Sequence, residues 1–260
     1  MISNLHIQVS VRGDISYLKK AYYTPPIKIA DIREDKRDRT LQLMLMSSSP
    51  GVLDGDEYFM KIELDEGSSL SLHSQSYQRL FDMQTGASQQ LSLHMSNNSS
   101  FTYLPHPVVP HKSSSFTSKN MLYLASNCSL VWGEVLSCGR KLNGEEFLYS
   151  KYHTLTQIFL NGKLVVKENL LSMPAVGNIH AIGQSEGYTH QASLIYLDEK
   201  ADKKTLSETI LDYLSDQKSL ASGISATPVR GIIVRLLGNK AEQLHTILKD
   251  IAGIIKSSQS

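Results

Sequence analysis

Apolar and polar residues alternate through most of the first 200 positions of this 260-residue chain. Leu5, Ile7, Val9 and Val11 share one parity, as do Leu41, Leu43 and Leu45, then Leu70 and Leu72, then Leu91, Leu93 and Met95. Successive side chains of a strand point to opposite faces, so a period of two marks strands with one buried face. Clusters of Ser, Asn, Gly and Pro separate the runs and act as strand punctuation. Asn161-Gly162, between the runs Leu155–Leu160 and Lys163–Val166, is the signal of a type I′ hairpin; Glu66-Gly67 joins two further runs. The pattern predicts a mainly β chain, with roughly a dozen or more short strands in stacked or coiled antiparallel sheets.

The period changes after Asp198. Residues 202–216 place Leu206, Ile210 and Tyr213 or Leu214 at helical spacing. A strand is expected over residues 231–237. A second helix is expected after Gly238-Asn239, with Leu244, Ile247, Leu248, Ile251 and Ile255 as one apolar stripe. Asn239 reads as its N-cap, with Glu242 three residues on as in a capping box. The chain therefore reads as one domain over 1–260, β-rich to about residue 200 and then helix, strand, helix, with no fixed-period repeat and no linker.

Composition and missing motifs narrow the function. A net charge of +1 lacks the basic surface that nucleic acid or an anionic membrane needs. No stretch approaches the roughly 20 apolar residues that span a bilayer. The sequence holds no GxxxxGK[ST] loop, no GxGxxG after a strand and no HExxH. The two cysteines, Cys128 and Cys138, fit no CxxC metal spacing and no secretion signal precedes them, so free thiols in a cytoplasmic protein are expected.

Three segments carry possible chemistry. Ser49-Pro50-Gly51-Val52-Leu53-Asp54-Gly55-Asp56 must turn, because Pro and Gly punctuate it; its two carboxylates either bond their own backbone or belong to a site. Glu134 lies inside the apolar run 130–136, so it is either on a solvent face or buried with a partner, for which Arg140 is the nearest candidate. His106 and His111 flank a Pro-rich extended loop and are weak metal-ligand candidates or plain loop residues.

Taken in order, further segments resemble the urease accessory protein UreD family, called UreH in some bacteria. They are Thr24-Pro25-Pro26, the turn Pro50-Gly51 to Gly55-Asp56, His73-Ser74-Gln75-Ser76 and Tyr103-Leu104-Pro105-His106-Pro107. Then come Glu134, Gly139-Arg140, Gly144-Glu145 with Phe147, Tyr188-Thr189-His190, and Val229-Arg230-Gly231 with Val234-Arg235. Each motif is weak alone; their order and spacing are specific, and they span nearly the whole chain. One departure is Ser49-Pro50-Gly51, where many members carry consecutive glycines.

The resemblance implies a non-enzymatic scaffold with no catalytic residues and a coiled β fold with two helices. It implies binding to apo-urease and to UreF, which recruits the nickel-carrying GTPase UreG, in a two-fold symmetric heteromeric complex without nucleic acid or membrane. It also implies a transient nickel ion as cargo, with no tightly bound cofactor, and an internal polar tunnel as its path. Asp56, Ser74, Gln75, Glu134 and Glu145 are the tunnel candidates by position; Pro50, Gly51, Gly55, Gly139, Arg140, Gly144, Tyr188 and His190 are the motif residues expected to shape the fold. Oxygen donors hold nickel weakly, which suits a path that must not trap its cargo. Two readings compete: a β-rich metalloenzyme with a carboxylate-centred site, and a β interaction module with no metal role.

Overall fold

The computed structural model describes residues 1–258. The chain opens with the hairpin β1 (Ile2–Arg12) and β2 (Ile15–Tyr23), followed by β3 (Ile27–Asp31) paired with β4 (Leu41–Ser47). From there successive long strands go alternately to two sheets. β5 (Glu57–Leu64) joins β1, and β6 (Ser69–Ser74) joins β4. After the short β7 (Gln78–Leu80), β8 (Ala87–Met95) joins β5 and β9 (Ser100–Tyr103) joins β6. The three-residue β10 (Val108–Pro110) links β7 to the next strand of the second sheet. β11 (Ser115–Leu124) joins β8, β12 (Ser129–Ser137) joins β9, and β13 (Lys151–Leu160) joins β11.

The coil ends in antiparallel additions. β14 (Lys163–Ser172) closes a hairpin with β13 through Asn161 and Gly162, both at positive φ. β15 (His190–Asp198) pairs with β12, α1 (Lys203–Ser215) follows, β16 (Ala221–Ala226) and β17 (Gly231–Gly238) extend the second sheet, and α2 (Ala241–Ser258) ends the described chain. The first sheet thus has seven strands in the order β14-β13-β11-β8-β5-β1-β2; the second has ten, with the path β16-β17-β15-β12-β9-β6-β4-β3.

The β-rich class and the two helices are as expected, but the pairing through the middle is parallel, not antiparallel. Short turns send the chain to the opposite sheet instead of folding it back beside itself, so each strand meets its sheet neighbour one full coil later in the same direction. These turns repeat. In 65–68 and 96–99 the fourth N–H bonds the first carbonyl, at 3.1 and 3.3 Å. The third residue of these and of the next turn, Gly67, Asn98 and Asn127, sits in the left-handed region. The turns also stack: Gly67 N–H donates to Asn97 O, and Asn98 N–H to Ser126 O. Equivalent positions lie 31 and 29 residues apart, a spacing that is not fixed, and the residues recur in part: Ser68-Ser69-Leu70, Ser99-Ser100-Phe101 and Cys128-Ser129-Leu130 follow the left-handed positions.

The main core lies between the sheets and gathers the alternating Leu5, Ile7, Leu43, Leu72, Leu93 and Leu130. A second core forms on the far side of the second sheet, where Val131, Leu194 and Val234 meet Leu206, Ile210 and Leu214 of α1 and the whole expected stripe of α2. Burial of each large aliphatic there contributes about 1.5–3 kcal/mol. Gly133 lets α2 approach: a Cβ at that position would stand 2.4 Å from Leu104 Cδ2 and 3.3 Å from Leu248.

Two local expectations fail. β16 was not foreseen, because its exposed Ala-Ser-Gly-Ile-Ser-Ala lacks an apolar face. The expected capping box does not form: Asn239 Oδ1 accepts from the Thr189 hydroxyl and Glu242 from Tyr77. Asp202 does cap α1, accepting from the backbone N–H of Lys204 and Thr205.

Candidate functional site

Where the end strands of the two sheets part, the alternation continues but its inward residues turn polar. On β11 the inward series is Phe116, Ser118, Asn120, Leu122; on β13 it is Tyr152, Thr154, Thr156, Ile158. Register aligns Asn120 with Thr156 and Thr156 with Glu168 in the first sheet, and Glu134 with Ser193 and Ser193 with Arg235 in the second. These rows face each other across a cleft of about 570 Å3 whose lining includes Trp132, Glu134, Thr156, Glu168, Ser193 and Arg235. At ~30 Å3 per water, six waters of a hydrated cation need about 180 Å3.

Glu134 is the centre of this band. Its Oε1 accepts from Trp132 Nε1 at 3.0 Å, Thr156 Oγ1 at 3.2 Å and Asn120 Nδ2 at 3.4 Å. Asn120 in turn donates to Thr156 Oγ1 at 2.9 Å. Burial lifts the Glu134 carboxyl above its ordinary range; hydrogen bonds from Trp132, Thr156 and Thr154 oppose the rise, and the negative charge of Glu168 adds to it. At the exposed rim, Arg235 of β17 pairs with Glu168 of β14 and so bridges the two sheets. The result is a carboxyl that neutralises more readily than an ordinary one, in a polar gap lined by hydroxyls and amides, which are hard donors without strong affinity for a transition metal.

The other tunnel candidates lie elsewhere. Asp56 is buried and accepts from the Met1 amino group, from Leu53 N–H at 2.9 Å and from the Tyr58 hydroxyl at 3.2 Å. Its neighbour Asp54 caps the turn at Thr85 and Gly86, which holds its carboxyl down at about 2. Ser74 accepts from the backbone N–H of His106, Gln75 is exposed, and Glu145 pairs with Arg140 on the surface. Arg140 is therefore Glu145's partner and not Glu134's: the two lie at opposite ends of a tight turn, while Glu134 points between the sheets.

The motif glycines act through backbone. Gly51 packs against Arg79 O and Phe81, Gly55 and Gly144 hold positive φ, and at Gly139 (φ +130°) a Cβ would meet Glu145 O at 2.7 Å. Pro50 lies in the bend that leads to Gly51, and Tyr188 N–H bonds Ser185 O. His190 is buried beside the Thr189 hydroxyl, and burial with Lys141 nearby lowers it to about 4. His106 and His111 do not converge: the first packs on His245, the second edge-on to Phe81. Both cysteines are buried and free. Among the described residues no group of three or more His, Cys, Asp and Glu is arranged to hold a metal ion, and no helix is long and apolar enough to cross a membrane.

The profile of the family described as UreD urease accessory protein matches residues 2–259. The chain belongs to that family. A urease accessory protein UreD of Flavobacterium johnsoniae is 47% identical over 96% of this chain and 91% of its own length. Proteins of the same description from Acetivibrio thermocellus and from Haemophilus influenzae are each 33% identical, over 97% and 92% of this chain and 97% and 93% of their own lengths. A role as an accessory protein in urease maturation follows from the family.

Within this UreD-family chain the sequence names Glu134 as a candidate and Arg235 only as part of a family motif, and it does not single out Asn120, Thr154, Thr156 or Glu168. The signal was present in the parity: polar residues occupy inward positions of strands whose other inward residues are Phe, Tyr, Ile and Leu. A buried polar residue in a strand needs a partner, and a run of them on adjacent strands means a polar interior.

Proposed function

We propose that this chain is a non-catalytic scaffold that binds apo-urease and UreF, brings the nickel-carrying GTPase UreG to them through UreF, and lets nickel pass along the polar band on its way to the urease active site. The observation that carries the reading is the facing pair of polar rows around Glu134, set in a β interior that is otherwise apolar. A hydrated dication can cross such a gap by exchanging waters for hydroxyl and amide oxygens, and the absence of clustered thiolates and imidazoles there keeps each stop weak. Glu134 supplies the negative charge when ionised, and Trp132, Thr156 and Asn120 hold its carboxyl in place.

Co-purification tests the scaffold. A tagged chain expressed in the bacterial cytoplasm with UreF and UreG should elute with UreF in fixed stoichiometry, and with UreG only when UreF is present. A monodisperse chain that ignores UreF overturns the reading.

A further inference from the structure

The chain crosses from the first sheet to the second once more after β14, through residues 173–188, before it enters β15. Register sets Ser172 opposite Tyr152 and His190 opposite Ser137. The crossing therefore spans the end of the cleft at which the polar rows begin. At the other end the rows run into Ile158 and Ile195 of the main core. Gly183, Gln184 and Glu186 of the crossing segment face the cleft as part of its lining.

The segment is folded on itself and barely attached to what it covers. No residue from 173 to 188 is buried. Val176 N–H bonds Met173 O at 2.9 Å, and Ala181 N–H bonds Asn178 O at 3.0 Å. The Ser185 N–H and hydroxyl both donate to Ile179 O, and Gly183 N–H donates to the Glu186 carboxylate. Among the described residues, no hydrogen bond joins 173–188 to the rest of the chain; the first such bond is Thr189 N–H to Gly238 O at 3.2 Å. One ring contact does reach the body. His180 meets Phe147 edge-on, with centroids 5.4 Å apart and planes at 87°. Phe147 itself is seated firmly: its N–H bonds Cys138 O at 2.7 Å, and its ring packs on the small core that contains Leu136 and Tyr149. A unit that keeps its own turns and buries nothing can open without disturbing the core. Gly187, at φ +85° just before the anchored Thr189, is a natural pivot.

We propose that residues 173–188 form a lid on the Glu134 cleft, latched by His180 on Phe147 and pivoting at Gly187. A single edge-to-face pair biases closure by roughly two- to tenfold, so the lid is held shut without being locked. Its use in admitting cargo rests on the reading of the cleft as a path; the lid motion itself does not.

The test follows the complete chain without nickel or partners, by acrylamide quenching of Trp132, which lines the cleft, and by hydrogen exchange. In the parent, amides of 176–188 should exchange at least tenfold faster than those of β14 and β15. His180→Ala should raise both the quenching constant and the exchange of the segment at least twofold, with an unchanged denaturant midpoint because the segment buries nothing. Phe147→Leu should act in the same direction. His180→Phe, which keeps a ring pair, should return quenching to the parent value, a rescue that general loosening would not give. Unchanged quenching in both His180→Ala and Phe147→Leu, or parent amides in 176–188 as protected as those of the flanking strands, overturns the lid. None of these readouts involves nickel, so their failure is distinct from failure of the maturation reading, which shows in the nickel content of urease.

Discussion

At the scale of single residues, Glu134 and Asp56 show how carboxylates flagged by one sequence reading divide by environment. Glu134 sits in a gap, held by three donors and raised by burial. An acid whose folded pKa lies above its unfolded value binds its proton more readily when folded. That contribution is fully present below the unfolded pKa and is lost as pH rises through the folded one. Glu134→Gln removes the ionisation while keeping an oxygen for Trp132. The variant should therefore melt above the parent at pH 8, with the gap narrowing as pH falls towards 4; a constant gap across that range contradicts the account. Asp56 instead satisfies a buried backbone N–H and a hydroxyl. Asp56→Ala should lose about 1–3 kcal/mol in a denaturant titration. Trp132 is the only tryptophan and donates to Glu134, so its fluorescence reports on the cleft. Nickel should quench it in the parent and at least threefold less efficiently in Glu134→Gln.

At the scale of elements, much was legible and the failures have physical causes. Leu91, Leu93 and Met95 announce a one-faced strand, and the α2 stripe announces a helix buried on one side; both are set by local periodicity. Strand direction is not, because parallel and antiparallel strands with one buried face alternate identically. β16 carries almost no apolar signal. The link between Asn120 and Glu134 joins strands in opposite sheets, which nothing in local sequence encodes. The coil depends on its turns. Asn98 holds φ +60°, which a β-branched residue resists, so Asn98→Val should cost about 1–2 kcal/mol while Asn98→Gly should be close to neutral by the same melt. Gly133 sets the seat of α2. Gly133→Ala forces Leu104 and Leu248 aside and should cost about 1–3 kcal/mol, read as a lower denaturant midpoint with an unchanged m-value.

At the scale of the whole molecule, three layers share out the work. The two sheets make a core that is apolar along β4 to β9 and polar where the end strands separate, and the helices cover only the outer side of the strands that carry Glu134, Ser193 and Arg235. The helices brace those strands from behind, so the inner face is free to be polar without losing its support. The ion pair at the cleft rim, Arg235 with Glu168, is half exposed and worth about 0–1 kcal/mol, so it does not lock the gap. The central claim is that cargo crosses this interior. Its most direct test is the nickel content of urease matured beside the Glu134→Gln chain, measured by metal analysis with complex formation followed in parallel. The account predicts that the variant still co-purifies with UreF and apo-urease while nickel per urease active site falls at least tenfold. Full nickel loading with the complex intact would contradict it.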